Sequence, residues 1–559
     1  MKSVSNLLYP VCLLAIFGLN GCSGSSPLLH HQHNQIIYQA GQDNDDDDAK
    51  DTPLKLVGER LFRETRFSQY FYAHSAGILN KVPAQGDSVV DTLDTITAQL
   101  AGPYKGQSMA CAACHFVDQV KDLDGAGNRA YTDFSRRSRV PSREDGQTLT
   151  PRNSPNMVGS TMSDDFFLHH DGEFATPEDL IRASYTGRNM GWLPREEATA
   201  IHHIVEVIRN DDGTFPTETD LGGLSYRDLF LGVPTIPAKF LIPLEYRMEI
   251  KGASDKEIFD GLVKLVTGYL HALDFMKDEQ GHYKGSPYDL FLRKNGLPLA
   301  PDQDESALVY SQRLLSLVGQ LKNPRFITPA DKKFKLHKQD FVFGQKELDG
   351  FKVFAGSGRC VQCHAAPDFT DHLFHNTGAS QDEFDKVHGL GKFMALEIPT
   401  LKKRSENPDL YLPATDNHPK ALGVFRAIPV ADQPLKSDLG VWNIFANPDY
   451  PLPQAKMRPA LCKSFQLDCS KISDEDLLQK AIGAVKTPTL RDLGQSNPYL
   501  HTGQSDRLED VMDFYVRYSK MAREDKVRNA DPRLKEIKVS PDDSEALTKF
   551  LQSLNEDYD

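Results

Sequence analysis

Two copies of the pattern Cys-x-x-Cys-His constrain this chain of 559 residues more than any other feature. The first copy spans residues 111–115 and the second spans residues 360–364. On a helical turn, positions i, i+3 and i+4 lie on one face. Two thiols placed in this way can form thioethers with one haem, while the His that follows reaches the haem iron. The composition predicts only about 0.004 such patterns by chance, so the sequence predicts two covalently attached c-type haems.

Two other interpretations of the cysteine pairs were weighed against haem attachment. A zinc site would need both pairs near one ion, but the pairs lie about 250 residues apart in the sequence. A thioredoxin-like redox pair is the other alternative. The predicted attachment residues and proximal iron ligands are Cys111, Cys114, His115, Cys360, Cys363 and His364.

The composition is typical of a globular protein. Apolar residues make up 39% of the chain and charged residues 25%, which excludes a mostly disordered protein. The formal net charge is −14, whereas nucleic-acid phosphates require a basic surface. We therefore expect no nucleic acid among the partners. Eight Cys are also too few for a scaffold built from disulfides.

The N-terminal residues carry the features of an export signal. A basic residue precedes the apolar stretch Leu7–Leu19, which is too short to span a bilayer comfortably. The sequence Asn-Gly-Cys follows and resembles the end of a bacterial lipobox, in which Cys22 would be acylated. An ordinary secretory signal with a chance Cys is the alternative. We predict a lipoprotein signal peptide at residues 1–21 and an acidic flexible tether at residues 22–52.

The predicted export also defines the compartment. Ser rather than Asp follows the candidate lipidated Cys, which resembles the outer-membrane sorting pattern. No later run of about 18 apolar residues could form a membrane-spanning helix. We therefore expect a protein on the periplasm side of a bacterial envelope, held at the outer membrane by its lipid anchor alone. Such an oxidising compartment suits the assembly of c-type haem.

Several short motifs flank the two haem motifs in a defined order. They are Leu56–Phe62, Arg152–Pro155, His170–Gly172, Phe369–Asp371, Phe374–Gly378, Ser437–Gly440, Lys486–Arg491 and Pro498–Gly503. In this order, they make the chain resemble the di-haem cytochrome c peroxidase/MauG family over most of residues 54–555. The resemblance implies a mainly α fold with two cytochrome c-like haem domains. It also implies a haem oxidoreductase that uses peroxide as the electron acceptor.

The resemblance implies that Tyr515 is the sixth ligand of the second haem iron. In the family, this ligand lies fourteen residues after the His of the motif Pro-Tyr-x-His, which is His501 here. Ordinary peroxidases of the family have Met at this position, whereas MauG-like members have Tyr. Tyr515 shares one helical face with three apolar residues, which favours an inward side chain. The alternatives are a core tyrosine bonded to another group, and Met512 or Tyr518 as the ligand.

The first haem is predicted to keep one face of its iron open. Peroxidases of the family often carry an inhibitory His after the first motif, but residues 116–151 contain no His and no Met. Without that ligand, the catalytic haem bound by His115 is expected to be five-coordinate and to bind peroxide or oxygen. The His residues that could reach this iron from elsewhere are His169, His170, His202 and His203.

Two positions depart from the family pattern. His170 replaces a Trp that is proposed to carry electrons between the haems, and Trp192 is a candidate to substitute for it. Asn189 replaces a Glu that transfers protons during O–O cleavage, and an amide can bind peroxide but cannot shuttle its proton. Glu173 or Glu178 could supply the missing carboxylate. Together with the proximal His of the first motif, His170 and Asn189 are the predicted catalytic residues.

The resemblance further implies a calcium ion between the haems. The family's ligands match the side chain of Asn153 and the backbone carbonyls of Ser496 and Pro498. Calcium prefers such oxygen ligands, completed by waters. A second interpretation stays open, because an Asn close to a Pro also forms turns without an ion.

The remaining sequence predicts helices joined by long loops. Few stretches alternate with a period of two, so strands should be few and short. We place the N-terminal haem domain at residues 53–338, with a helical insertion at about 212–335, and the C-terminal haem domain at residues 339–559. Cys462 and Cys469 are predicted to form a disulfide, and a thiol pair that binds metal is the alternative.

Together these features predict an exported di-haem oxidoreductase that reacts with peroxide or oxygen. Its expected partner is a small periplasmic electron donor or a protein substrate. Plain peroxide reduction, MauG-like oxidation of a partner protein and oxygenation of an organic substrate all remain open. The alternative from another class is a di-haem electron-transfer cytochrome without substrate chemistry, which would need both irons to be six-coordinate.

Overall fold

The computed structural model describes residues 51–94, 99–101, 104–115, 137–162, 167–216, 223–335, 337 and 339–557. The predicted signal peptide, Cys22 and residues 22–50 of the tether lie outside the described residues, as do residues 116–136 after the first motif. The described part of the chain is predominantly helical with only short strands, which confirms the predicted fold class. Within these ranges, we find no helix with the length and apolar character needed to cross a membrane.

The α-helices of the described residues range from 4 to 18 residues in length. In chain order they are α1 (Pro53–Phe62), α2 (Gln69–His74), α3 (Pro177–Thr186), α4 (Glu197–Asn210), α5 (Tyr226–Leu231), α6 (Asp255–Ala272), α7 (Pro287–Lys294), α8 (Ala307–Gly319), α9 (Gln345–Ala355), α10 (Ala379–His388), α11 (Leu401–Glu406), α12 (Pro408–Tyr411), α13 (Pro451–Ser464), α14 (Asp474–Lys480), α15 (Leu508–Arg523), α16 (Pro532–Glu536) and α17 (Ser544–Gln552).

Two small antiparallel sheets contribute the strands. In the first sheet, β1 (Thr92–Asp94) pairs with β2 (Gln99–Ala101). In the second, β3 (Phe374–His375) pairs with β4 (Val485–Lys486). The second sheet holds the segment that follows the second haem motif beside a segment about 110 residues further along the chain.

Local sequence signals explain where the principal helices begin. Thr176 caps α3, because its Oγ1 accepts the N–H of Asp179 at 3.2 Å while Pro177 occupies the first helical position. Ser254 and Glu257 form a reciprocal capping box at the start of α6. These caps satisfy backbone donors that would otherwise lack partners at the helix ends.

Two hydrophobic cores surround the two haem motifs. The first contains Met109 and Ala112 and is built mainly from α1, α3, α4, α5 and α6. Helix α1 crosses α6 so closely that a Cβ at Gly58 would lie 2.4 Å from the Cβ of Tyr269, so only glycine fits there. The second core contains Val361 and is built mainly from α7, α8, α9, α15 and α17. Each motif therefore lies against a core of its own.

The predicted helical insertion is divided between these cores. Helices α5 and α6 pack in the first core, whereas α7 and α8 pack in the second. Phe291 of α7 and Leu314 of α8 are buried there beside residues of the C-terminal helices. This packing differs from the predicted grouping of α7 and α8 with the N-terminal domain, because position in the chain does not decide which core buries an apolar helix face. The boundary between the two domains stays a prediction.

A third core is formed mainly by residues 384–484. Trp442 and Phe425 are buried at its centre, with ring centroids 5.3 Å apart. Cys462 and Cys469 form a disulfide bond with their Cα atoms 5.6 Å apart. Both cysteines pack against this core, so the bond ties the end of α13 to the loop that follows it.

Candidate functional site

The first Cys-x-x-Cys-His motif forms a 3-10 turn over Cys111–Ala113. The N–H groups of Cys114 and His115 both donate to the carbonyl oxygen of Cys111, at 3.0 and 2.9 Å. The Cys111 thiol is outside any disulfide, and burial raises its pKa to about 12. The turn therefore presents a neutral thiol together with the second cysteine and the imidazole that follows it.

The second motif repeats this geometry over Cys360–Gln362. The N–H of His364 donates to the carbonyl oxygen of Cys360 at 2.8 Å. The Nδ1 atom of His364 lies 3.0 Å from the carbonyl oxygen of Phe369. This hydrogen bond makes Nδ1 the protonated nitrogen and orients Nε2 as the ligand atom, which is the usual arrangement of a metal-binding His. Burial also lowers the pKa of His364, which favours the neutral ring that iron requires.

Both motifs open into one continuous cavity of about 1150 Å³. All four cysteines and both histidines of the motifs line it, and much of the remaining wall is apolar. Two thiols and one imidazole in sequence form the donor set that covalent haem attachment requires, and the cavity contacts two such sets. The residues present thus fit two haems.

Tyr515 lies on the wall of this cavity near the second motif. Burial raises the pKa of its phenol, and the two thiols of the motif raise it further. Met512 also lines the cavity. Tyr518 is not among the described residues that line it, because its ring packs in a separate cluster with Phe514 and Ala379. The structure thus brings two of the three candidate ligands to the cavity, and ligation itself stays a prediction.

The four His candidates for the first haem have different surroundings. His169 and His170 line the cavity. His202 is exposed, and its Nδ1 lies 2.8 Å from an Asp255 carboxylate oxygen. His203 is buried, and its Nε2 lies 2.7 Å from a backbone carbonyl oxygen. Of these four, only the first two are positioned to meet a ligand in the cavity.

His170 is one of the predicted catalytic residues, and it is held by the backbone. Its Nε2 lies 3.0 Å from the carbonyl oxygen of Asn153. Burial lowers the pKa of His170 well below its ordinary value, and the neighbouring His501 and Arg152 lower it further. The ring is therefore neutral. Its centroid lies 6.2 Å from that of His501.

One of the two Glu residues that could replace the carboxylate missing at Asn189 lines the cavity. Asn189 is exposed, lies on the cavity wall and belongs to the 3-10 turn Arg188–Met190. Glu173 lines the same cavity, accepts a hydrogen bond from His169 Nδ1 at 2.9 Å and pairs with Arg426 at 3.1 Å. Burial alone would raise the pKa of Glu173, but these two partners lower it well below its ordinary value. Glu178, the other candidate, is exposed and is not among the described cavity residues.

A buried charge cluster joins four of the short motifs that were recognised in the sequence. Arg152 donates from Nε and Nη2 to the two carboxylate oxygens of Asp438, at 2.6 and 2.7 Å. Arg152 also forms an ion pair with Asp171. His501 lies 3.6 Å from Asp438, and burial is the main cause that lowers the pKa of His501 to about 4. Each of these residues comes from a different motif, so the motifs share one place in the fold.

Two of the predicted calcium ligands are neighbours. The side-chain Nδ2 of Asn153 donates to the carbonyl oxygen of Pro498 at 2.6 Å. The buried Oδ1 of Asn153 has no hydrogen-bond partner among the described residues. Ser496 lines the same cavity. A buried oxygen without a partner is the type of group that a cation would satisfy, so these residues fit calcium, and the ion itself stays a prediction.

The structure adds the surroundings of Lys486 and a cluster around Cys363, neither of which was predicted from the sequence. Lys486 is in the cavity wall, its Nζ donates to the carbonyl oxygen of Phe167 at 2.9 Å, and burial lowers its pKa to about 8. Potential ligand atoms of Cys363, Asp371 and His375 all lie within 4.8 Å of one another. Lys486 belongs to a recognised motif, but its position on the cavity wall could not be read from the sequence.

Comparisons with known proteins agree with the motifs. No family model matches the chain. A curated relative, the cytochrome-c peroxidase IdrP2 of Denitromonas iodatirespirans, is 24% identical over 214 residues, which are 38% of this chain and 40% of the relative. The chain therefore matches about two fifths of the length of that relative.

Two solved structures are similar over most of the chain. A MauG-like protein associated with microbial copper homeostasis has 14% sequence identity, a TM-score of 0.39 and 90% coverage of both chains. The diheme peroxidase BthA from Burkholderia thailandensis E264 has 14% identity and a TM-score of 0.40, with 90% of this chain and 86% of that chain covered. The curated match to a cytochrome-c peroxidase confirms the resemblance that was noted in the sequence.

Proposed function

We propose that the protein is an exported di-haem c-type oxidoreductase that reacts with peroxide, or with oxygen, at a haem whose iron has one open face. A second haem, with Tyr515 as its axial ligand, would store or relay an oxidising equivalent. The observation that carries the proposal is the single cavity into which both haem motifs open, with Tyr515 on its wall beside the second motif. The alternative is an electron-transfer cytochrome without substrate chemistry.

The chain's own residues would hold both haems in place. The two thiols of each motif would form thioethers with the vinyl groups of one haem, and His115 and His364 would bind the irons. When bound, the haems would supply the redox chemistry of peroxide reduction. The hydrogen bond from His364 to Phe369 would fix the ring that faces the second haem. The apolar wall of the cavity would limit the access of water.

Reduction of peroxide to two waters consumes two electrons and two protons, so the first site needs a group that moves protons. Glu173 accepts a hydrogen bond from Nδ1 of His169, which leaves Nε2 of that ring as its proton acceptor. Asn189 could hold peroxide by a hydrogen bond but could not take its proton. We therefore assign proton transfer to His169, oriented by Glu173, with Arg426 keeping the carboxylate ionised.

Export, electron supply and calcium complete the proposal. The lipobox-like sequence at Cys22 supports a lipid-anchored protein on the periplasm side of the outer membrane. There, a small electron donor or a protein substrate would deliver the electrons.

An open iron together with Tyr515 favours oxidation of a partner protein or of an organic substrate. The replacement of the usual carboxylate by Asn189 argues separately against plain peroxide reduction. Calcium would bind at Asn153, Ser496 and Pro498.

The decisive experiment records electron paramagnetic resonance and optical spectra of the purified ferric protein before and after peroxide is added. The expected result is one high-spin and one low-spin haem, with a new high-valent species after peroxide. Tyr515→Phe should convert the low-spin signal into a high-spin signal, because the second haem would lose its sixth ligand. The matched variant Tyr518→Phe should leave the low-spin signal unchanged. Two low-spin haems whose spectra do not change when peroxide is added would overturn the proposal in favour of the electron-transfer cytochrome.

A further inference from the structure

We propose that Tyr72 and Trp192 form a relay that carries single electrons between the protein surface and the first haem pocket. The inference rests on the proposed function and adds a route by which its electrons travel. Tyr72, on α2, is 48% exposed, whereas Trp192 is 1% exposed. Their ring centroids lie only 5.6 Å apart. The pair therefore connects the solvent to the interior in a single contact.

The buried end of this pair reaches the first haem site in two ways. Trp192 itself lines the cavity into which the first motif opens. A chain of contacts also leads from its ring to the motif: Trp192 Nε1 donates to the carbonyl oxygen of Phe67 at 3.3 Å, and the Phe67 ring packs edge-on against Tyr185 at 5.6 Å. Tyr185 lies close enough to the thiol of Cys111, a predicted haem attachment residue, for each group to change the pKa of the other.

The imidazole that packs against both rings of the pair adds no positive charge beside the indole. His203 packs against both rings, with its centroid 5.2 Å from that of Tyr72 and 6.1 Å from that of Trp192. Burial is the main cause that lowers the pKa of His203, so this neighbour is neutral. The other Trp of the chain, Trp442, differs: the guanidinium of Arg404 lies 4.9 Å from its ring and would repel such a charge.

Indole and phenol are the ring side chains that lose single electrons most readily, and the two environments favour transfer in one order. Trp192 would give up one electron to an oxidised haem bound in the cavity. Its indole keeps the N–H proton, because the carbonyl of Phe67 accepts a hydrogen bond but is not a base. Tyr72 then reduces Trp192 and releases its phenolic proton to water. An external one-electron donor, with a proton from water, restores Tyr72. Two such passes supply the two electrons that reduce one peroxide to two waters, and the two protons reach the site through His169.

The first test looks for the relay radical in the di-haem protein. Samples are frozen within milliseconds of mixing with peroxide, without a reductant, and examined by electron paramagnetic resonance. We expect a tyrosyl radical that disappears in Tyr72→Phe and in Trp192→Phe. It should persist in Tyr411→Phe and Trp442→Phe, since neither of these residues is among the described residues that line the cavity. A radical that survives in both relay variants would overturn the proposal.

A second test works without peroxide and so separates the relay from the proposed function. A ruthenium photo-oxidant is attached to a Cys that replaces the exposed residue Ala73, next to Tyr72. A light flash oxidises the ruthenium, and the loss of an electron from the reduced haem is followed optically. We expect the fast phase to be lost in Trp192→Phe and retained in Trp442→Phe. Equal rates of haem oxidation in both variants would overturn the relay. A haem that does not react with peroxide would overturn only the proposed function.

Discussion

Replacing Arg152 with Met should lower the free energy of unfolding by about 3–5 kcal/mol, because it leaves a buried carboxylate without its partner. Arg152 and Asp438 have only 6% and 2% of their side-chain surface exposed. Two hydrogen bonds join them, at 2.6 and 2.7 Å. Asp171 loses the same partner but keeps Arg426 at 3.3 Å. Asp438 therefore accounts for most of the expected loss.

The effect of this substitution should depend on pH in a defined direction. Burial alone would raise the pKa of Asp438, but Arg152 outweighs it and holds the pKa below its ordinary value of 3.8. In the wild type, this pair therefore contributes stability above pH 3.8, which is lost only as the pH falls through the lower folded value. In the variant, burial without a partner raises the pKa of Asp438. The variant thus loses stability as the pH rises. The difference in free energy of unfolding between the variant and the wild type therefore becomes smaller towards pH 4.

The assay is denaturant unfolding of the haem-loaded protein, followed by far-ultraviolet circular dichroism at pH 7 and at pH 4.5. The matched control is Arg227→Met, because Arg227 is 62% exposed and lies 3.6 Å from Asp228. Its loss should change stability by less than about 0.5 kcal/mol. If the two variants behave alike at pH 7, or if the loss in Arg152→Met does not shrink at pH 4.5, the assignment of a buried, paired Asp438 is wrong.

Three further predictions concern the haems, the disulfide and the proton-transfer group. Replacing both Cys360 and Cys363 with Ser should reduce the covalently attached haems from two to one by intact mass, whereas Cys469→Ser should retain two. Cys469→Ser should lower the free energy of unfolding by about 2–3 kcal/mol in denaturant titrations, because it opens a small closed loop; an unchanged stability would argue against that contribution. Glu173→Gln should slow the reaction with peroxide by about 100-fold in stopped-flow absorbance measurements, since His169 loses the carboxylate that orients it. The exposed residue Glu178 provides the control variant, and equal rates in both would remove Glu173 from the mechanism.

Features set by neighbouring residues were predicted well. The start of α3 at Thr176 depends on a capping residue, a Pro and acidic residues in the first turn, all of which are adjacent in the sequence. The helical face that carries Tyr515 follows from the spacing of its apolar neighbours, and the side chain lies on the cavity wall. Both are local properties, since they depend on residues within a few turns of one another.

Features that depend on long-range packing were predicted less well. The sequence grouped α7 and α8 with the N-terminal domain, but their apolar faces are buried in the second core. The positions of the four His candidates in the sequence did not show which of them face the cavity. His202 is exposed, whereas His169 lines the cavity. The position of Lys486 on the cavity wall could not be predicted either, because a Lys in a cavity and a Lys at the protein surface look the same in the sequence.

The sequence by itself determined two Cys-x-x-Cys-His turns and a set of short motifs in a recognisable order. These features are encoded by covalent spacing, which controls distances within one turn of the backbone. Only the tertiary structure decided that both turns share one cavity, that Arg152 meets Asp438 across 286 positions, and that Glu173 reaches the cavity where Glu178 does not. Such contacts depend on how distant helices bury their apolar faces together, and no local pattern encodes that choice.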